Sequence, residues 1–222
     1  HILLVVPIIA LLMLQPHFSA SMVIITIVAV MMILAGCKFW HFLATGGAVG
    51  IPGMIGLIIL EPYRLARVTT FLDPWKDATG AGWQVIQSLY AIGSGGLFGA
   101  GLGESKQKYL YIPEPHNDFI FSVLAEELGF VGCVLVIVLF AIFIWRGVLI
   151  AMKSPDMFGS LIAIGITTMV AIQVILNIAV VTSSVPATGM PLPFFSYGGT
   201  ALFILLCEMG VLLNISRASV KS

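Results

Sequence analysis

The sequence predicts an all-α protein, a polytopic bundle of transmembrane helices with one large loop outside the bilayer. Three observations predict it. Of 222 residues, 59% are hydrophobic and only 9% charged, where a soluble globular domain carries roughly a quarter. The apolar residues gather in runs whose lengths suit a bilayer. About half of all the charge falls in a single hydrophilic stretch, 61–118, which holds five basic and six acidic residues.

An apolar run of roughly 18 to 20 residues crosses about 30 Å of hydrocarbon as a helix, at about 1.5 Å per residue. Six runs come close or qualify: 1–14, 20–36, 43–60, 119–145, 157–182 and 199–216. They make one integral membrane domain of residues 1–222. The first run opens with no positively charged leader, which reads as the C-terminal part of a longer protein and not as a signal peptide. The third holds Gly46 and Gly50 in the small-xxx-small spacing of closely packed helices, and Pro52, which predicts a kink.

The fourth run carries Glu126 and Glu127, eight and nine residues beyond Asp118, about 12 to 14 Å along an unbroken helix. They are about 100° apart around the axis, which points them in different directions. A helix over 119–145 measures about 40 Å, so the pair sits near the interface or faces a wet cavity. Ionisable groups in such a run are functional or structurally paired, and both readings stand. Cys37, Cys133 and Cys207 lie in apolar runs or at their ends, and read as small packing residues. Their odd number gives neither a disulfide framework nor a metal-ligand spacing.

Orientation follows from Lys and Arg in the short connections. Lys38, the pair Arg146 and Lys153, and the tail residues Arg217 and Lys221 fall on one side if the helices alternate, whereas 15–19 and 183–198 carry no Lys or Arg. The basic side is cytoplasmic by the positive-inside bias, so the C-terminus is inside and 61–118 is extracellular. Ten basic and ten acidic residues cancel to a net charge of zero. There is no global basic field to recruit nucleic acid, so function must reside in local clusters.

Long loops in compact folds are commonly functional. Within 61–118, Trp83, Ile86, Leu89 and Tyr90 recur at helical spacing, with Gln84, Gln87 and Ser88 on the other side. That predicts an amphipathic helix on the outer surface, ended by Gly93, Gly95 and Gly96. The stretch GSGGLFGAGLGES that follows lacks the preceding strand of a dinucleotide-binding turn. It predicts a flexible outer loop able to approach a ligand headgroup.

The sharpest cluster is SKQKYLYIPEPHNDFIF, 105–121, which presents Lys106, Lys108, Glu114, His116 and Asp118 at the mouth of an apolar helix. Asp118 has an ordinary reading as an N-cap, worth about 1 kcal/mol. It has a chemical reading as well, because a carboxylate beside lipid is partly desolvated and so suited to act as a base. The two are compatible. A second cluster, SSVPATGMPLPFFSYGG at 183–199, holds three prolines and no charge, and cannot be a simple helix. It predicts a re-entrant or tightly packed external loop with Ser196 and Tyr197 as polar tips, which either meet a substrate or satisfy local backbone.

GLGESKQKYLYIPEPHNDFIFSVLAEELGFVG at 101–132, PATGMPLPFFSYGGTAL at 186–202 and QPHFSA at 15–20 together resemble the SEDS family (shape, elongation, division and sporulation). These are the membrane peptidoglycan polymerases that include FtsW and RodA, and the likeness is closest to the division and sporulation branch. Its members have about ten transmembrane helices with both termini inside, which makes the six runs here the last six. The resemblance implies that Asp118 is the essential carboxylate of the external loop. It implies lipid II, a disaccharide-peptide on undecaprenyl pyrophosphate, as substrate, glycosyl transfer as reaction, and a class B penicillin-binding protein transpeptidase as partner beside membrane lipid. Asp118 would take the proton from the attacking 4-hydroxyl, while Lys106, Lys108 or a divalent cation such as magnesium or manganese stabilises the departing pyrophosphate. Glu114, His116, Ser196 and Tyr197 complete the expected substrate-binding set. Many relatives carry Asp where this chain has His17, so no role is carried over to that region. A lipid II flippase or a non-catalytic scaffold of the division machinery would share these helices. Charge concentrated in one external loop, rather than midway through the bilayer, favours the enzyme.

Overall fold

In a computed structural model of the chain, residues 7–8, 11–12, 18–38, 40, 69–80, 82–105 and 118–219 are described. Five α-helices are described in full: α1 Phe18–Leu34, α2 Trp83–Ser94, α3 Ile120–Met152, α4 Met157–Val181 and α5 Gly199–Ser219. Among the described residues a 3-10 turn covers Pro74–Asp77. The chain divides into two compact units, one of residues 1–35, 134–177 and 188–222, the other of 36–133 and 178–187.

Three of the helices, α3, α4 and α5, are long and apolar enough to cross a membrane. They match the expected runs 119–145, 157–182 and 199–216. Helix α1 matches 20–36 and has 17 residues, fewer than the other three. The runs 1–14 and 43–60, with Gly46, Gly50 and Pro52, lie wholly or largely outside the described residues.

In the first unit the ends of α3, α4 and α5 pack around small side chains. Ala151, Ala163 and Leu212 are buried together, lined by Phe143, Ile150, Ile164 and Ile215. Gly147 of α3 lies against Thr167 of α4 so closely that a Cβ would overlap the threonine hydroxyl, and Gly165 faces Met31 of α1. Small residues at such crossings let backbones approach where lipid offers no hydrophobic drive for association. The helices of this unit carry exposed apolar side chains as well, among them Leu135, Leu139, Phe203 and Leu213. A surface of that kind requires lipid or further protein to cover it.

Segment 183–198 is irregular, as its prolines require. Within the first unit, Asn177 of α4, buried, donates from its side chain to the Met190 carbonyl at 2.8 Å. Phe194 meets Phe143 edge-on and Phe195 meets Phe140 at a tilt, with ring centroids 6.2 and 6.0 Å apart. In the second unit, α4 ends in a Schellman motif: the Ser183 amide donates to Val180 at 2.9 Å and the Ser184 amide to Ala179 at 2.7 Å. The left-handed position is Ser183, φ 53°, where a Cβ is unfavourable. Ser183→Gly is expected to stabilise the protein by about 0.5–1 kcal/mol, read as a higher unfolding temperature in detergent, and a lower temperature would contradict the cap.

Helix α2 forms where its periodicity predicts and ends at Gly95. Its exposure departs from that of the expected surface helix, although Ile86 is buried as its apolar face requires. Gln87 and Ser88 are buried, and Tyr90 is exposed. The reason is main-chain satisfaction, since the Ser88 hydroxyl donates to the Val181 carbonyl at 2.9 Å, at the end of α4. The ring of Tyr90 meets Trp75 of the 3-10 turn edge-on at 6.0 Å.

Candidate functional site

The site is built on the start of α3. Asp118 stands in the turn two residues before this helix and is half-buried, and Phe119, not Asp118, occupies the capping position ahead of Ile120. Phe119, next to it, is buried, and the Ser122 amide and hydroxyl both donate to the Phe119 carbonyl, at 3.0 and 2.6 Å. Asp118 is therefore held against a well-anchored first turn.

Helix α3 is not continuous. Gly129 adopts φ 66° and ψ −167° and divides its 33 residues into two helical pieces. This conformation is essentially reserved for glycine. The second piece, 130–152, measures about 34 Å and spans a bilayer by its own length. The first piece, with Glu126 and Glu127, is surplus to the crossing, which removes the cost of placing two carboxylates in hydrocarbon.

A helix break strands carbonyls on one side and amides on the other. Here the glycine-rich turn after α2 supplies their partners. The amides of Ala100 and Gly101 donate to the carbonyls of Glu126 and Glu127 at 2.9 and 3.1 Å. In return the amides of Phe130 and Val131 donate to the carbonyls of Gly96 and Leu97 at 2.9 and 3.1 Å. The backbones are so close that a Cβ on Gly95 would strike the Ala125 carbonyl, one on Gly99 the Glu127 carbonyl, and one on Gly129 the Gly99 amide. The stretch expected to be a flexible loop for a ligand headgroup is instead a main-chain splice that completes α3. Gly95 and Gly99 are required there by contact, not by mobility.

The same junction settles the setting of the acidic pair. Ser105 is fully buried, and its hydroxyl donates to Oε2 of Glu126 at 2.5 Å. Its amide lies 3.4 Å from Oε1 of Glu127. Glu126 is itself 3% exposed. Of the two readings left open for this pair, structural pairing is the one observed, and one serine serves both carboxylates although they diverge around the helix.

Lys106, Lys108, Glu114 and His116 lie outside the described residues. In the first unit, Ser196 closes its own turn: its hydroxyl accepts from the Leu192 amide at 2.7 Å, and its amide donates back to the Leu192 carbonyl at 3.0 Å. Of the two readings for Ser196, satisfaction of local backbone is thus observed. Tyr197 is 83% exposed. Among the described residues no three His, Cys, Asp or Glu side chains come together as a metal site.

Sequence reasoning passed over Ser105, Asn177 and Glu208. Nothing local marks Ser105, whose importance lies in a partner 21 positions away. Asn177 and Glu208 carried a signal, a polar group inside an apolar run. Glu208 lies in the middle of α5, with Oε2 buried and without a hydrogen bond among the described residues.

The order of these parts, a glycine splice, a buried serine on an acidic pair and a carboxylate at a helix mouth, can be set beside known proteins. Residues 1–221 match the family of cell cycle proteins comprising FtsW, RodA and SpoVE. The chain belongs to this family. Among FtsW, RodA and SpoVE relatives, it is 51% identical over 207 residues to stage V sporulation protein E of Bacillus subtilis, which covers 93% of the chain. It is 46% identical over 208 residues to a probable peptidoglycan glycosyltransferase FtsW of a Geobacter species, covering 94%. It spans 56% of the length of each of these relatives. Among solved structures, it resembles a chain from a peptidoglycan synthase complex, with a TM-score of 0.78 and 32% identity over 99% of this chain and 61% of that one. It also resembles the rod shape determining protein RodA of Thermus thermophilus, with a TM-score of 0.63 and 30% identity over 97% of this chain and 54% of that one. The chain is thus an all-α, multi-pass membrane protein of the FtsW, RodA and SpoVE type, as its composition and motifs predicted.

Proposed function

We propose that the protein to which this chain belongs is a peptidoglycan glycosyltransferase that polymerises lipid II during division or spore cortex synthesis, with Asp118 as its general base. The observation that carries this reading is the position of Asp118, a half-buried carboxylate ahead of a membrane helix. Family membership supports it, as do the relatives named peptidoglycan glycosyltransferase. In the step proposed, the 4-hydroxyl oxygen of an acceptor sugar bonds to C1 of the donor sugar as the bond from C1 to the undecaprenyl pyrophosphate breaks. Asp118 receives the hydroxyl proton. Lys106 and Lys108, from the segment between Ser105 and Asp118, offset the charge on the departing pyrophosphate, and Glu114, His116 and Tyr197 are assigned to holding the substrate.

The substrate is tethered in the bilayer, so a base at a helix mouth is at the right depth to meet a lipid-linked headgroup. The reading places 61–118 outside the cell and the C-terminus in the cytoplasm, from the distribution of Lys and Arg. A membrane-impermeant thiol reagent is expected to label a cysteine placed at Lys76 in intact cells and to spare one placed at Lys221; the opposite pattern would invert the site. A class B penicillin-binding protein is the partner proposed, by analogy with the similar chain in a peptidoglycan synthase complex.

The deciding experiment gives the complete purified protein labelled lipid II and looks for glycan strands. Polymer is expected. Absence of polymer with movement of labelled lipid across vesicles would make it a transporter, and absence of both a scaffold.

A further inference from the structure

The stretch 61–118 is hydrophilic as a whole, yet its charge is unevenly placed: no Asp, Glu, Lys, Arg or His falls between Asp77 and Glu104. Within that uncharged span the turn after α2 points large apolar side chains outward. Leu97, Phe98 and Leu102 are 64, 80 and 79% exposed in the chain. An exposed apolar cluster of this kind marks a surface that meets a membrane or another protein. Its depth favours the membrane. The Phe130 and Val131 amides donate to the Gly96 and Leu97 carbonyls, which bonds the turn to the first residues of the helical piece 130–152. That piece is about 34 Å long and the hydrocarbon about 30 Å thick, so its first turn, and the turn bonded to it, fall at the hydrocarbon edge. Phe130 and Val131 are themselves exposed there. Main chain is tolerated at that level when its polar groups are satisfied from within. Here the carbonyls of Gly95, Gly96 and Leu97 accept and the amides of Gly99, Ala100 and Gly101 donate, all within the splice.

We propose that the turn 97–102 is a membrane anchor, whose Leu97, Phe98 and Leu102 side chains insert among the acyl chains of the leaflet at which the piece 130–152 begins. The surface takes lipid hydrocarbon and not a protein partner. Protein interfaces require packing of matched shape, and these side chains stand on a narrow turn between exposed Gly96, Gly101 and Gly103, which give a partner little to pack against. Fluid acyl chains need no matched shape, and their affinity for such a turn grows with the apolar area it immerses. Immersion holds the break at Gly129 at the bilayer edge, so that the first piece of α3, with Glu126 and Glu127, emerges from the hydrocarbon. The anchor is independent of the reaction the protein carries out.

The test uses the complete protein in liposomes of phosphatidylcholine and phosphatidylglycerol. With Cys37, Cys133 and Cys207 replaced by alanine, a nitroxide label is attached through Phe98→Cys or Leu102→Cys. Its collisions with oxygen, which concentrates in hydrocarbon, are compared with those of a nickel chelate, which stays in water. Oxygen is expected to prevail several-fold at both positions, and the nickel chelate at a control label attached through Lys153→Cys. Prevailing nickel collisions at 98 and 102 overturn the anchor, because the turn then lies in water. Few collisions with either reagent also overturn it, because protein then covers the turn. A second measurement keeps the unaltered sequence and does not depend on the folding of the cysteine-free variant. A phospholipid carrying a diazirine midway along one acyl chain is photolysed in the same liposomes, and adducts are located by mass spectrometry. Adducts within 97–102 are expected, and adducts confined to the membrane-spanning helices overturn the anchor.

Discussion

Asp118→Asn in the complete protein is expected to abolish lipid II polymerisation, by at least about a hundredfold, while the protein folds and unfolds as the parent does. The two halves of this expectation have separate causes. A general base in the transition state contributes about 10²- to 10⁴-fold, and an amide of nearly the same shape cannot take the proton. Asp118 also stands two residues ahead of Ile120, outside the capping position held by Phe119. Asn keeps the size of Asp and its ability to accept a hydrogen bond, so the first turn of α3 should survive. Purified wild-type and variant proteins are compared for glycan strands by gel and for unfolding temperature by intrinsic fluorescence. Retained polymer synthesis would remove Asp118 from the reaction. Lost synthesis together with a large fall in unfolding temperature would leave it only a structural role.

Gly129→Ala is expected to be among the most damaging single changes in the chain, costing about 3–5 kcal/mol and sharply reducing the yield of folded protein. Two effects combine. The backbone at φ 66° and ψ −167° lies where a side chain costs about 1–3 kcal/mol by itself. The added Cβ would also strike the Gly99 amide and the Leu97 carbonyl group, which are backbone and cannot step aside. Separating the two segments to make room would break the four bonds of the splice and leave carbonyls and amides unpaired near the membrane surface, where each costs about 1–3 kcal/mol. Gly96→Ala is the control: Gly96 also has positive φ, at 55°, but nothing lies within 4 Å of an added Cβ. It should cost only about 1 kcal/mol. Folded yield by size exclusion and unfolding temperature separate them. Near-parental behaviour of Gly129→Ala would mean that the break is not closed by the splice.

These two residues differ in how far they could be read from the sequence. The place of Asp118 just ahead of α3 was legible, because a carboxylate after a polar, proline-containing stretch and before an apolar run marks the approach to a helix. The lengths and apolar character of α3, α4 and α5 were legible for the same kind of reason, since solvent selects composition locally. Gly129 was not. It sits in LGFVG, where a glycine is unremarkable inside a membrane helix, and nothing in its neighbours announces a positive φ. The expected roles of Gln87 and Ser88 failed similarly: spacing put them on a polar face, and the fold buried that face because the end of α4 offered a carbonyl to be satisfied.

What the sequence alone determined is the solvent each segment lives in, the number and length of apolar runs, the family, and the location of the charged segment ahead of α3. What only the tertiary structure decided is how main-chain groups pair across distance: that the glycine-rich turn closes a broken helix, and that Ser105 finds Glu126. The physical reason is that side-chain chemistry reports environment along the chain, whereas amides and carbonyls are the same at every residue. A segment that must press its backbone on another leaves only the missing Cβ as its trace, and that trace does not name its partner.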